Sequence, residues 1–153
     1  MQVIQMSPLG NDVRALVGQL DSYMEAMYPA ESNHFDPVET LAQPGVLFAG
    51  VYDGDSLCAI GAVKAMHNDG DYGEIKRVFV SPDQRGKGLA KLMMQFLESH
   101  LLESGISCVR LETGVYQPEA VTLYEKLGYK TRHKFGCYGS DPLSVFMEKK
   151  LTI

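Results

Sequence analysis

The run YGEIKRVFV at residues 72–80 passes through SPDQRGKG at 81–88 straight into a segment whose apolar residues Leu89, Leu92, Met93, Phe96 and Leu97 fall at i, i+3, i+4, i+7 and i+8. A β-rich run, a glycine turn and an amphipathic helix in one unbroken stretch constrain the chain to an α/β architecture, because the helix must lay its apolar stripe on the sheet that the strand joins. Gly105 follows as a C-terminal cap. The rest of the chain repeats this alternation. QVIQM is a short strand, and Val13, Leu16, Val17 and Leu20 make a helical stripe in DVRALVGQLDSYMEAMY. Three prolines break regularity across residues 28–45, and residues 46–67 read as two β-rich runs around the turn Asp53-Gly54-Asp55, a hairpin. SCVRLET is a strand. Pro118 opens a helix with the stripe Ala120, Leu123, Tyr124 and Leu127, and Gly128 ends it. YKTRHKF and LSVFMEKKL are closing strands. With 153 residues, 45% of them hydrophobic, the chain builds one core of ordinary size, so residues 1–153 are read as a single domain.

Several function classes are disfavoured. A net charge of -5 removes the general attraction to phosphate polymers, so nucleic acid is not an expected partner. The N-terminal MQVIQMSPLG has no basic segment followed by an apolar one, and no apolar run approaches the roughly 18 residues that span a bilayer. No membrane association and a cytoplasmic location are expected. Cys58, Cys108 and Cys137 are odd in number and suit reduced structural thiols better than a disulfide framework. His34, His67, His100 and His133 recur every 33 residues, but their surroundings share nothing, and no pair has the i, i+4 spacing of a metal site on a helix. No metal is expected.

The glycine-rich turn invites comparison with phosphate-binding loops. Gly86, Lys87 and Gly88 lack the Walker A spacing and hydroxyl, and Lys91 stands where a dinucleotide fingerprint needs its third glycine. What remains is Arg85-x-x-Gly88-x-Ala90 between a strand and a helix. Glycines there let backbone N–H groups turn inward, the helix N-terminus adds partial positive charge, and Arg85 and Lys87 add full charges, a set suited to a pyrophosphate. A solvated turn before a helix is the plainer alternative for these six residues alone. The longer stretch VFVSPDQRGKGLAKLMMQFLESHLLESG, followed by PEAVTLYEKLGY, closely resembles the GCN5-related N-acetyltransferase (GNAT) superfamily, and the order of elements matches that fold over nearly the whole chain. YPAESNHF, GEIKRVFV, LETGVYQPEA and DPLSVFMEK further resemble a bacterial subgroup of such acetyltransferases.

The resemblance implies a mixed, mostly antiparallel sheet of six to seven strands, splayed in the middle and flanked by about four helices, with acetyl-CoA as co-substrate lying in the splay. It implies that backbone at Val78 and Val80, with Phe79 between them, pairs with the pantetheine arm, and that the N–H groups of Arg85, Gly86, Lys87, Gly88, Leu89 and Ala90 hold the diphosphate. Gln117 stands where the family carries an Asn, and its longer amide can still donate to the co-substrate. Tyr124 matches the tyrosine that faces the sulfur, and is the candidate acid for the departing thiolate; the alternative is a core residue of its apolar stripe, whose phenol then needs a buried partner. Glu74 matches a position where relatives carry a base, against the reading of an ordinary exposed charge, with Glu112 a weaker substitute. Glu31, Asn33, His34 and Tyr138 fall in the segments that form the acceptor pocket, and loop solubility or capping explains them equally well. Acetyl transfer to a primary amine of a small molecule, by direct attack in a ternary complex, is the expected function; an acyl-CoA-binding regulatory module or a peptide amine acetyltransferase is the alternative. A homodimer is expected from family habit and from LSVFMEKKL, which places Leu143, Val145 and Met147 on one face and Phe146 on the other.

Overall fold

The computed structural model describes residues 1–33 and 36–152. Its elements follow the order β1 (Val3–Gln5), α1 (Asn11–Met27), a 3-10 turn (Ala30–Ser32), α2 (Val38–Leu41), β2 (Val46–Asp53), β3 (Ser56–Met66), β4 (Tyr72–Val80), a 3-10 turn (Pro82–Gln84), α3 (Leu89–Glu103), β5 (Cys108–Gly114), α4 (Pro118–Lys126), β6 (Lys130–Arg132) and β7 (Ser144–Lys150). The strands form one seven-stranded sheet in the order β1-β2-β3-β4-β5-β7-β6. Every neighbouring pair is antiparallel except β4 and β5.

Each face of the sheet is covered by the stripe the sequence provides. Val13, Leu16, Val17 and Leu20 of α1 are all buried, packed with Val38 and Leu41 of α2 against Phe48, Ile60, Ala62 and Phe79. On the opposite face α3 packs over the sheet, but its inward stripe is Leu89, Met93, Met94, Leu97 and Leu101; Leu92 is 40% exposed, so the sequence stripe was set about one residue off the true contact line. The irregular 28–45 stretch holds the short helix α2, which follows Pro37 as its N-cap and is too brief for periodicity to reveal. Strand β6 is three residues long, shorter than YKTRHKF suggested. Met147 of β7 is buried with the α3 layer while Phe146 packs with Tyr72 and Phe135, so at these two positions the chain itself covers both faces of β7.

Two irregularities shape the middle of the sheet. Ile60 pairs with Phe79 and Ala62 with Lys76, so Gly61 alone faces both Arg77 and Val78, a bulge. Arg77 takes the bulge with φ of 57°, the only positive φ outside glycine among the described residues, an uncommon state for a long side chain. Its guanidinium holds it there by pairing with Asp21 of α1 and donating to the Asp36 carbonyl at 2.9 and 3.0 Å. The second irregularity is the β4–β5 ladder itself, which pairs only Gly73–Ile75 with Val109–Leu111 although both strands run on. Beyond Ile75 the two strands part, leaving peptide groups of β4 without a strand partner on that side, and such groups are strongly driven to find another partner.

Candidate active site

Two cavities occupy the parting. The outer one, about 520 Å³, is lined by Val78, Phe79 and Val80 of β4, by Arg85 and Gly86, and across the gap by Gln117 and Tyr124, a volume in the range of small-molecule sites. The inner one, about 150 Å³, is lined by Lys76, Glu112, Thr113 and Tyr138 among others. Val78, Gln117 and Tyr124 border both.

The floor of the outer cavity is the glycine turn. Gly86 and Gly88 have φ of 81° and 76°, a conformation that L side chains rarely adopt, and a Cβ at either would meet no atom within 4 Å. The need for glycine is therefore in the backbone and not in local crowding. Gly88 is the N-cap of the fifteen-residue α3 and supplies no side-chain acceptor, so the first-turn amides, including those of Leu89 and Ala90, face outward with the positive end of the helix dipole. Arg85 donates to the Val80 carbonyl at 3.2 Å and lies over the Phe79 ring, and Lys87 donates to Gln84 Oε1 at 2.7 Å. Such an arrangement could hold a diphosphate. Gly88→Val is expected to weaken acetyl-CoA binding at least tenfold in calorimetric titration and to cost about 1–2 kcal/mol of stability through its φ alone; unchanged affinity would remove the turn from the site.

On the far wall, Tyr124 is buried and, among the described residues, has no hydrogen-bond partner at its phenol. Burial alone pushes that phenol up to about 12. The buried partner that a core tyrosine needs is missing, and the oxygen is on a side chain that borders both cavities. Gln117 is the N-cap of α4, and Tyr28 donates to its Oε1 at 3.5 Å while accepting from the Tyr116 amide at 2.9 Å. Tyr28 fits because position 114 is glycine: a Cβ there would lie 1.9 Å from the phenol oxygen.

The inner cavity separates the two carboxylate candidates. Glu112 lines it, accepts from Ser144 Oγ at 2.8 Å, and has its carboxyl pushed up to about 7, chiefly by burial and further by the charge of Glu74, against the Ser144 hydrogen bond. Glu74 is only 3% exposed, not the surface charge that its place at the start of a strand suggested. Its Oε2 accepts from Tyr138 Oη and lies 3.3 Å from Lys76 Nζ, which also donates to Asp36 at 2.8 Å. Tyr138 thus stands on the wall of the inner cavity. Glu31 is exposed on its 3-10 turn and borders neither cavity. Asn33 donates to the Tyr28 carbonyl at 3.4 Å, and its Oδ1 is buried with no partner among the described residues. His34 lies outside the described residues. Sequence reading did not single out Asp36, Lys76 or Arg77; alternation along β4 puts Lys76 on the same face as Glu74 and was the available signal for it, whereas nothing local marks Arg77.

A splayed sheet with a glycine turn at a helix N-terminus at one end of the gap and a phenol and carboxyls at the other is the arrangement expected of an enzyme that moves acyl groups from coenzyme A. The chain belongs to the acetyltransferase (GNAT) family, whose model matches residues 16–129. It is 42% identical over 149 residues to a protein of Azospirillum brasilense named IAA acetyltransferase, covering 97% of each chain. The crystal structure of a Klebsiella pneumoniae protein, assigned provisionally as an acyl-CoA N-acyltransferase, superimposes with a TM-score of 0.81 at 30% identity over 99% of this chain and 97% of that one. An N-acetyltransferase of Thermoplasma acidophilum solved with coenzyme A shares the fold, with a TM-score of 0.70 at 17% identity over 98% and 99% of the two chains. Among the described residues no helix is long and apolar enough to cross a membrane.

Proposed function

We propose that the protein transfers the acetyl group of acetyl-CoA to the primary amine of a small molecule by direct attack in a ternary complex. The observation that carries this reading is the position of Tyr124, an unpartnered phenol on the wall common to the outer and inner cavities, with Glu112 across the inner one. Amides of the turn at 85–90 and backbone at Val78 and Val80 would hold the co-substrate, leaving the thioester beside Tyr124. An alkyl ammonium with pKa near 10 is only about one part in a thousand free amine at pH 7, so attack gains from a base within reach. Glu112, poised near 7, can take that proton, directly or through water, at the pH where the cell works. Glu74 is the less suited of the two, because Tyr138 and Lys76 already converge on one of its oxygens. Tyr124 keeps its proton at every physiological pH and can hand it to the departing thiolate. The test is thiol release from acetyl-CoA against a panel of amino acids, polyamines, aminoglycosides, aryl amines and peptides. Release with at least one small amine is the expected result; acetyl-CoA binding without release across the panel would replace the enzyme with a regulatory module.

A further inference from the structure

The inner cavity does not end the cleft. A third cavity of about 320 Å³ lies on the same face of the sheet, walled by Met66, Tyr72 and Tyr138 and floored by Glu74. It has Asp36, Lys76 and Tyr138 in common with the inner cavity. The partition between the two is the chain of contacts Asp36, Lys76, Glu74, Tyr138, in which two carboxylates face a single ammonium.

Size and charge together say what spans that partition. At about 150 Å³ the inner cavity has room for about five water-sized groups, enough for an amine and a few carbons. The third cavity, which shares Asp36, Lys76 and Tyr138 with it, offers room for the remainder of an acceptor. There the charges do not cancel: Asp36 and Glu74 against Lys76 leave one negative charge in excess. The neighbouring cations are already matched, Arg77 by Asp21, and Arg110, beside the Tyr72 ring, by Glu148 and Asp69. We propose that this third cavity binds a second ammonium group of the acceptor, so that the preferred substrate is an aliphatic diamine lying across the partition, one end at Glu112 and the other at Glu74. Glu112 stands on β5 two residues beyond Arg110, the partner of Glu74 on β4, so the two carboxylates stand at different levels along the cleft, and diamines of four and five carbons test that span.

The inference rests on the amine-transfer reading and is tested apart from it by comparing 1-aminobutane, 1,4-diaminobutane, 1,5-diaminopentane and 5-aminopentanoate as acceptors. The diamines should exceed 1-aminobutane by about tenfold in kcat/KM, well beyond the roughly twofold statistical advantage of two reactive ends, with the gain in KM, and 5-aminopentanoate should fall below it. Glu74→Gln should shrink the ratio of diaminobutane to aminobutane to about its statistical value. Equal use of 1-aminobutane and the diamines by the unaltered protein would overturn the second-ammonium site while leaving amine transfer standing. Transfer to another amine of the wider panel with none to these four would overturn the second-ammonium site alone, and acetyl-CoA binding with no transfer to any amine of the panel or of these four would overturn both.

Discussion

Tyr124→Phe should lower kcat by about 10² to 10⁴ while acetyl-CoA affinity moves little, the range set by loss of a general acid. The substitution keeps the ring that stacks edge-on to Tyr129 at 5.9 Å and keeps the burial of the α4 stripe. What it removes is the phenol O–H, which bonds to no other described residue and so stabilises nothing that the variant must replace. Stability should hold, since the phenol borders the cavities and bonds to no described residue. Because burial holds the phenol near 12, the unaltered enzyme should show no loss of rate from its ionisation below that pH, and the deficit of the variant should be constant across the neutral range. A variant with unaltered turnover, measured where chemistry limits the rate, would show that water or the acceptor supplies the proton and that Tyr124 is a core residue.

How far the sequence reveals this site depends on what each feature is made of. The turn at 85–90 was legible because it depends on backbone: only glycine takes the φ of Gly86 and Gly88 cheaply, so the residue type records the conformation. The α1 stripe was legible because four buried residues in helical register admit one face. Tyr124 was legible as a position through resemblance, but no local pattern encodes that its oxygen meets no partner among the described residues. Glu74 and Glu112 were harder still. Both lie on strands where alternation gives the face, yet their environments are set by Tyr138, Ser144 and Asp36, each 30 or more residues away in sequence. Arg77 was invisible because its left-handed backbone runs against its residue type and is held by contacts 41 and 56 residues distant.

Glu112→Gln should separate the two carboxylates by their pH signatures. With the Glu112 carboxyl near 7, kcat/KM of the unaltered enzyme should climb through about pH 7 as the base ionises, and the variant should lose that limb along with about 10² or more in rate at pH 7. The deficit should shrink as pH approaches the pKa of the amine, where free amine forms without help. Glu74→Gln should do something different: removing the charge that helps to raise Glu112 should shift the limb to lower pH without abolishing it. Stability supplies an independent check. A carboxyl whose folded value lies above its ordinary 4.5 holds its proton more tightly in the folded chain, so its contribution is fully present below 4.5 and is lost as pH rises through about 7. Glutamine carries no charge at any pH and can still accept from Ser144, so Glu112→Gln should be more stable than the unaltered protein above pH 7, by about 2 kcal/mol, with the two converging toward pH 4.5. Denaturant titrations at pH 5 and pH 8 read that difference directly. A slower enzyme that is also more stable at pH 8 is what a buried catalytic carboxylate predicts, because the desolvation that prepares Glu112 to take a proton also opposes its ionisation in the folded chain. If Glu74→Gln abolishes the limb and Glu112→Gln leaves it, the roles are reversed and Glu74 is the base.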